Sequence, residues 1–245
     1  MADTKNVIHD EFLFYGTCSD TACVLDSVET EHAIKVLRCT IGDTLFVTDG
    51  AGKMFTCVLA KIKGGECLCE IRNSKYVPLQ RPDLIFFVGI TEKNPFEKIC
   101  QMLPPMNVSR IVPFYGENTT KNWWRKGWKK GAVRFERILK SSIKQSHTPY
   151  ITKLDPPLSF EEIFESGQCP TPSFFADPRG EKISEINPGR PGDLCYTCFV
   201  GPPEGFSENE RTVLLEKNAQ GLILSSHRLR TEVAAVSLAA VCNQL

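Results

Sequence analysis

The 245-residue chain predicts an α/β protein: a small β-barrel first, then a larger domain built on a parallel sheet. Three observations carry this expectation. Residues 1–75 hold several short β-prone runs separated by turn residues, the pattern of a small barrel. Residues 84–90 (LIFFVGI) form a continuous apolar run, as expected of a parallel strand buried on both faces. From Phe199 to Leu245 the chain reads as a strand–loop–helix unit repeated twice, with both loops on one edge of the sheet. A chain of this length exceeds the usual single domain. The boundary is placed between residues 75 and 76, and the proline-containing stretch 73–83 (NSKYVPLQRPD) is the linker.

In chain order, strands are expected at residues 12–15, 22–25, 45–47, 55–62 and 66–71, with Asp49-Gly50 and Gly64-Gly65 as turns. Residues 31–43 (EHAIKVLRCTIGD) form a short helical pattern, Ile34 and Leu37 inward, ending at Gly42. After the 84–90 strand, a helix over 96–103 should be halted by Pro104-Pro105, and residues 110–114 form the next strand. The stretch from Lys121 is the most basic in the chain and holds all three tryptophans. Two readings stay open for it. Arg125, Lys126, Lys129 and Lys130 with the tryptophans suit a surface that tracks phosphates and stacks a base. The other is a helix burying Trp128, Phe135, Ile138, Leu139 and Ile143, its lysines simply solvated. Ser159 with Glu162 caps a short helix, residues 172–176 form a strand, and Asp177-Pro178-Arg179-Gly180 is its loop.

Composition excludes several classes. The formal net charge is zero, so any nucleic-acid binding must come from a local patch. Apolar residues make up 42% and charged residues 24%, as in ordinary soluble proteins. Nothing resembles a signal peptide and no apolar run reaches membrane-spanning length, so a cytoplasmic protein without a membrane partner is expected. Eleven cysteines without a secretory signal read as reduced thiols. Cys195-x-x-Cys198 lies inside an apolar strand with no second such pair in its domain, so no metal site is expected.

The C-terminal stretch carries the chemistry. The apolar run 194–200 breaks into Gly201-Pro202-Pro203-Glu204-Gly205, the kind of turn at a strand's C-terminal end where α/β folds place ligands. Ser207 and Glu210 fit a capping box for the following helix, which Gly221 ends. Residues 222–224 form a very short strand. A polar loop of Ser225, Ser226, His227, Arg228, Leu229 and Arg230 follows. Thr231 can cap the last helix, which is rich in alanine.

These segments resemble a known family. GPPEGFSENE resembles the GPEGGFS-x-x-E loop of RsmE proteins, and LSSHRLRTEVAAV resembles their LG-x-RILRTETAA loop and helix. Near the N-terminus, His32, Lys35, Val36, Leu37, Arg38, Gly42 and Asp43 match the family's H-x-x-KVLR-x-x-x-GD segment. The resemblance implies a PUA-like barrel followed by a SPOUT domain whose chain forms a trefoil knot, a topology that spacing alone would argue against. It also implies a homodimer that binds S-adenosylmethionine and methylates N3 of a uridine in 16S ribosomal RNA, free or in the 30S particle. Val200, Gly201, Pro202, Glu204, Gly205, Leu224, Ser225, Leu229, Arg230 and Thr231 are then the expected cofactor contacts. Lys35 and Arg38, one turn apart, become candidate phosphate contacts, or else a solvated helix face.

Methylating uridine N3 requires an oriented methyl donor, loss of the N3 proton and stabilisation of charge on the uracil oxygens. Arg230 is expected to stabilise that charge, with Glu232 or Glu204 as a weak base or as the group that orients Arg230. The chain departs from the family at Pro203 and Glu204, and its second loop carries an arginine one position late. Two rival readings follow: an RNA-binding or ribosome-assembly protein with a weakened cofactor loop, or a methyltransferase with another RNA target.

Overall fold

The structure is a computed structural model that describes residues 8–79, 82–119, 123–165, 167, 169–186 and 195–245. The chain forms two compact units. One comprises Met1–Leu79 with Ile143–Ile151, the other Gln80–Ser142 with Thr152–Leu245. The segment 143–151 thus joins the first unit, which the boundary at 75/76 does not anticipate.

The first unit begins with β1 (Ile8–Tyr15), β2 (Thr17–Cys18), β3 (Ala22–Leu25) and α1 (Ser27–Glu31), which continues as a π-helical turn, His32–Val36. Strands β4 (Thr44–Thr48), β5 (Lys53–Lys63) and β6 (Glu66–Tyr76) complete it. The sheet order is β1-β4-β5-β6-β3-β2, so its two ends are consecutive segments of chain separated only by Gly16. A Cβ at Gly16 would lie 2.9 Å from Val47 Cγ1 on β4 and 3.1 Å from the Val24 carbonyl on β3. One bent strand therefore serves both edges and closes the barrel, leaving no unpaired edge there. Alternation along the strands turns Leu45, Val47, Phe55, Cys57, Leu59, Cys67 and Cys69 inward with Phe14, Cys23 and Leu25. The β5–β6 hairpin turns at Gly64 (φ 63°) and Gly65 (φ 83°), the two positive-φ residues that a type I′ turn needs.

Two local expectations change in this unit. The helix begins earlier than expected, because Asp26 Oδ1 accepts hydrogen bonds from the Val28 and Glu29 amides, each 2.9 Å, and fixes its N-terminus. It also ends earlier, at Leu37, where Arg38 takes a left-handed conformation (φ 58°). Cys18 and Cys23 form a disulfide across the β2–β3 hairpin, where all cysteines were expected to be reduced. Burial pushes the Cys57 and Cys69 thiols up to about 12. The segment 143–151 hydrogen-bonds to the barrel rim: Pro149 accepts from the Gly52 amide at 2.9 Å, and Tyr150 Oη donates to Val77 at 2.6 Å. Lys144 Nζ lies 2.6 Å from the buried Glu29 carboxylate.

The second unit contains, in order, β7 (Asp83–Gly89), α2 (Lys93–Met102), β8 (Val108–Tyr115) and α3 (Trp123–Ser146), whose last turn belongs to the first unit. It continues with β9 (Lys153–Leu154), β10 (Leu158–Ser159), α4 (Phe160–Glu165) and β11 (Ser173–Glu181). β12 (Cys195–Val200), α5 (Glu208–Glu216), β13 (Gln220–Leu222) and α6 (Thr231–Cys242) end it. The sheet order is β10-β8-β7-β12-β11-β13, with β9 also on β8, and every pairing is parallel. The LIFFVGI run is central and covered on both faces. Phe86 and Val88 pack with α2, α3 and α6, whereas Phe87 packs with Phe199, Phe160 and Leu214 on the other side. As expected, Pro104 stops α2, and Pro104–Met106 forms a single 3-10 turn before β8.

In α3 the structure chooses the core reading for the tryptophans it describes. Trp124 is fully buried and donates from Nε1 to the Thr91 carbonyl at 2.8 Å. It packs edge-on to Phe96 (4.6 Å between centroids) and stacks on Trp128 (5.3 Å). The Trp124 ring is thereby closed to a base, while the half-buried Trp128 stacks on it and tilts against Phe135. No helix of the described residues is long and apolar enough to cross a membrane.

Candidate functional site

β12 ends at Val200, and the chain turns at once. Gly205 N–H donates to the Pro202 carbonyl at 2.8 Å, closing a four-residue turn with Pro203 in its second position. Proline suits that position because its fixed φ matches the turn and the turn does not use that N–H. The departure from the family's GPEGG therefore costs the turn no donor. Beneath it, Gly89 at the end of β7 makes the close approach possible: a Cβ there would lie 2.2 Å from Pro202 N. The loop is anchored downstream by the expected capping box. Ser207 Oγ accepts from Glu210 N at 3.0 Å, and Glu210 Oε2 accepts from Ser207 N at 2.8 Å. The fully buried Glu210 also accepts from the Glu117 amide at 3.0 Å through Oε1, tying this helix start to the loop after β8.

The second loop runs from β13 to α6. Thr231 Oγ1 donates to the Gly201 carbonyl at 3.3 Å, and Arg228 Nη2 donates to the Pro203 carbonyl at 2.7 Å. The two loops therefore hold each other. A third wall comes from Asp177-Pro178-Arg179-Gly180. Ala176 and Glu181 both register with Leu222, so the four residues between them bulge out of β11 rather than following it as a terminal loop. Asp177, nearly fully buried, accepts from Arg179 N at 2.9 Å and from Arg211 Nε at 2.7 Å. Arg179 in turn pairs with Glu208 at 2.8 Å.

These three loops enclose a cavity of about 650 Å³ at the C-terminal ends of the parallel strands. That is the size and the position at which α/β sheets take small ligands. Its wall is apolar where Val200, Leu222, Leu224 and Leu229 meet, and polar where backbone groups of the two loops line it. Val200, Gly201, Pro202, Glu204, Gly205, Leu224, Ser225, Leu229 and Thr231 all line it; Arg230 does not. Arg230 stands exposed at the N-cap position of α6 and makes no capping hydrogen bond. Glu232 is not on the cavity wall either. It is buried and pairs with Lys98 at 3.6 Å.

Asp177 and Arg179, in the loop that the family resemblance implies beside the cofactor, and His227, a loop histidine that could touch RNA or cofactor, also line the cavity, as do Arg211 and Arg228, which sequence reasoning did not assign to it. Nothing local marks these last two arginines as site residues: Arg211 lies on α5 and Arg228 in the polar loop before α6. Among the expected RNA contacts, Lys35 is exposed and pairs with Glu31 at 2.8 Å, and Arg38 is exposed. Lys129 and Lys130 are exposed on α3; the side chains of Arg125 and Lys126 lie outside the described residues. Among the described residues, no three His, Cys, Asp or Glu side chains converge as a metal site would require.

Comparison with known proteins agrees with this geometry. Residues 79–243 match the model of an RNA methyltransferase domain, and residues 25–72 match an RNA methyltransferase PUA domain. A Mycobacterium bovis protein named ribosomal RNA small subunit methyltransferase E is 26% identical over 238 residues, spanning 94% of this chain and 90% of its own. An Aquifex aeolicus protein of the same name is 24% identical over 193 residues, 78% of this chain and 81% of its own. In fold, the chain is similar to the crystal structure of ribosomal RNA small subunit methyltransferase E from Neisseria gonorrhoeae bound to S-adenosylmethionine. The TM-score is 0.82 at 20% identity, covering 95% of this chain and 97% of that one. With more than half of its length matched to that domain model, the chain belongs to the RNA methyltransferase domain family.

Proposed function

We propose that the protein is an S-adenosylmethionine-dependent methyltransferase that modifies N3 of a uridine in small-subunit ribosomal RNA. The observation that carries this is the three-loop cavity at the strand ends, in a chain whose relatives carry the name ribosomal RNA small subunit methyltransferase E. The cavity suits the cofactor. Its apolar patch of Val200, Leu222, Leu224 and Leu229 fits an adenine ring, and loop amides and carbonyls supply hydrogen bonds to the polar ends. When bound, the cofactor supplies an electrophilic methyl on its sulfonium. The turn 201–205 and the start of α6 would orient it.

Arg230 is assigned the charge that builds on the uracil oxygens. Its exposure and its place between the cavity residues Leu229 and Thr231 favour a group that meets substrate rather than cofactor. Glu232, engaged with Lys98, supports the start of α6 instead of taking the proton. Lys129 and Lys130, with Lys35 and Arg38, are proposed to hold RNA phosphates. The trefoil knot is proposed as well: β13 and β12 flank β11 on opposite sides, and α6 packs back against α2, β7, β11 and β12. A homodimer is proposed on the apolar residues left exposed around the second loop and α6, Ile223 and Val233. A cytoplasmic location follows from the substrate.

Calorimetric titration with S-adenosylmethionine, followed by mass-spectrometric mapping of methylated bases on 30S particles lacking the modification, tests this reading. Micromolar binding and one new methyluridine are expected. A folded protein that binds the RNA but neither binds nor uses the cofactor would establish the RNA-binding alternative instead.

A further inference from the structure

The second loop departs from the family pattern it resembles by carrying an arginine, Arg228, one position late, and the structure shows where that arginine goes. Three arginines line the cavity. Arg211 is ion-paired with Asp177 at 2.7 Å and Arg179 with Glu208 at 2.8 Å, so both charges are compensated. Arg228 differs. Among the described residues its guanidinium meets only a neutral acceptor, the Pro203 carbonyl at 2.7 Å. A guanidinium carries five N–H donors, and this bond uses one of them. Arg228 is also exposed while lining the cavity, which places it at the rim.

We infer that Arg228 is a clasp and an oxyanion receptor at the cavity rim: it ties the second loop to the Pro203 turn and takes an anionic oxygen of the bound ligands with its remaining donors. The inference rests on the methyltransferase reading, which supplies two sources of such an oxygen, the carboxylate of the cofactor's methionine moiety and an RNA phosphate beside the target nucleotide. The Pro203 bond holds the guanidinium in place, so little side-chain freedom is lost when the anion arrives. The uncompensated charge makes the anion's hydrogen bonds charge-assisted and therefore strong. Arg179 and Arg211 do not fill this role, because their charges already answer carboxylates.

The test compares wild type, Arg228→Ala and Arg228→Lys in three titrations: S-adenosylhomocysteine, 5′-methylthioadenosine (which lacks the carboxylate) and a 16S RNA fragment across a salt series. If the oxygen is the carboxylate, Arg228→Ala weakens S-adenosylhomocysteine binding about tenfold or more. Binding of 5′-methylthioadenosine then stays within about twofold, and Arg228→Lys recovers part of the loss. If the oxygen is a phosphate, both nucleosides bind as in wild type and the salt slope for RNA falls by about 0.7–0.9. Equal losses for both nucleosides would reduce Arg228 to a loop tie and overturn the receptor role. Unchanged values in all three titrations would overturn the inference entirely. Wild type that binds neither nucleoside would overturn the methyltransferase reading itself, and this inference with it.

Discussion

At Gly89 a single missing atom decides whether the site can form. The Pro202 backbone passes 2.2 Å from where a Cβ would sit, a distance no side chain tolerates. Gly89→Ala is expected to cost about 1–3 kcal/mol of stability, as overpacking does, and to weaken cofactor binding by displacing the 201–205 turn. Chemical denaturation and calorimetry read the two effects separately. Arg230→Ala should abolish methylation yet leave cofactor affinity within about twofold, since Arg230 lies off the cavity wall. Retained turnover in a single-turnover assay would remove its assigned role. The Ser207–Glu210 capping box was legible from four letters, because it depends only on residues three apart. The Arg211–Asp177 and Arg228–Pro203 contacts were not. Their partners are separated by 34 and 25 positions, and nothing local distinguishes such an arginine from a solvated one.

Elements were legible where burial imposes a period. β7 reads as a buried strand because apolar side chains face both ways, and the structure covers both of its faces. α3 was ambiguous for the same reason it is basic: a long helix with one apolar stripe and many lysines fits both a core helix and an RNA-binding face. Packing of Trp124 and Trp128 against Phe96 and Phe135 assigns the aromatics to the core. That leaves the lysines as a separate question. Replacing Lys129 and Lys130 together by alanine is expected to lower the salt slope of RNA binding by about 0.7–0.9 for each phosphate that these lysines neutralise. An unchanged slope in a fluorescence-anisotropy salt series would return them to the solvated face. The capping box is also a test at this scale. Ser207→Ala should cost about 1 kcal/mol, read as a shifted denaturation midpoint at constant m-value.

For the whole molecule, ligand and proton both act as probes of the folded state. A cofactor that binds only the folded chain raises its stability by about 2.7 kcal/mol at one hundred times Kd. A clear rise in Tm with S-adenosylmethionine, and none with ATP, is expected. The buried thiols set a limit at high pH. Folding raises the Cys57 and Cys69 thiols from 9.0 to about 12, so the unfolded chain loses those protons first. The resulting stability is complete below pH 9.0 and declines as pH rises from there toward about 12. Unfolding midpoints at pH 8 and pH 10.5, for wild type and Cys57→Ala, measure this: the decline should be shallower in the variant.

Short-range rules suffice for what depends on neighbouring residues. The barrel strands, the β7 and β8 runs, the helix stop at Pro104, the Gly64-Gly65 hairpin, the capping box and the turn after Val200 all follow from alternation, backbone freedom and caps; the short strand expected at residues 222–224 lies instead at Gln220–Leu222, after a helix that ends at Glu216 and not at Gly221. Tertiary structure decided what depends on distant chain meeting in space. It closed the barrel through Gly16, drew residues 143–151 into the first unit, and left Arg230 off the cavity wall while bringing Arg228 onto it. The physical reason is common to these cases. A period records which side of an element is buried, but not which other element buries it, and a ligand site is made of those second choices.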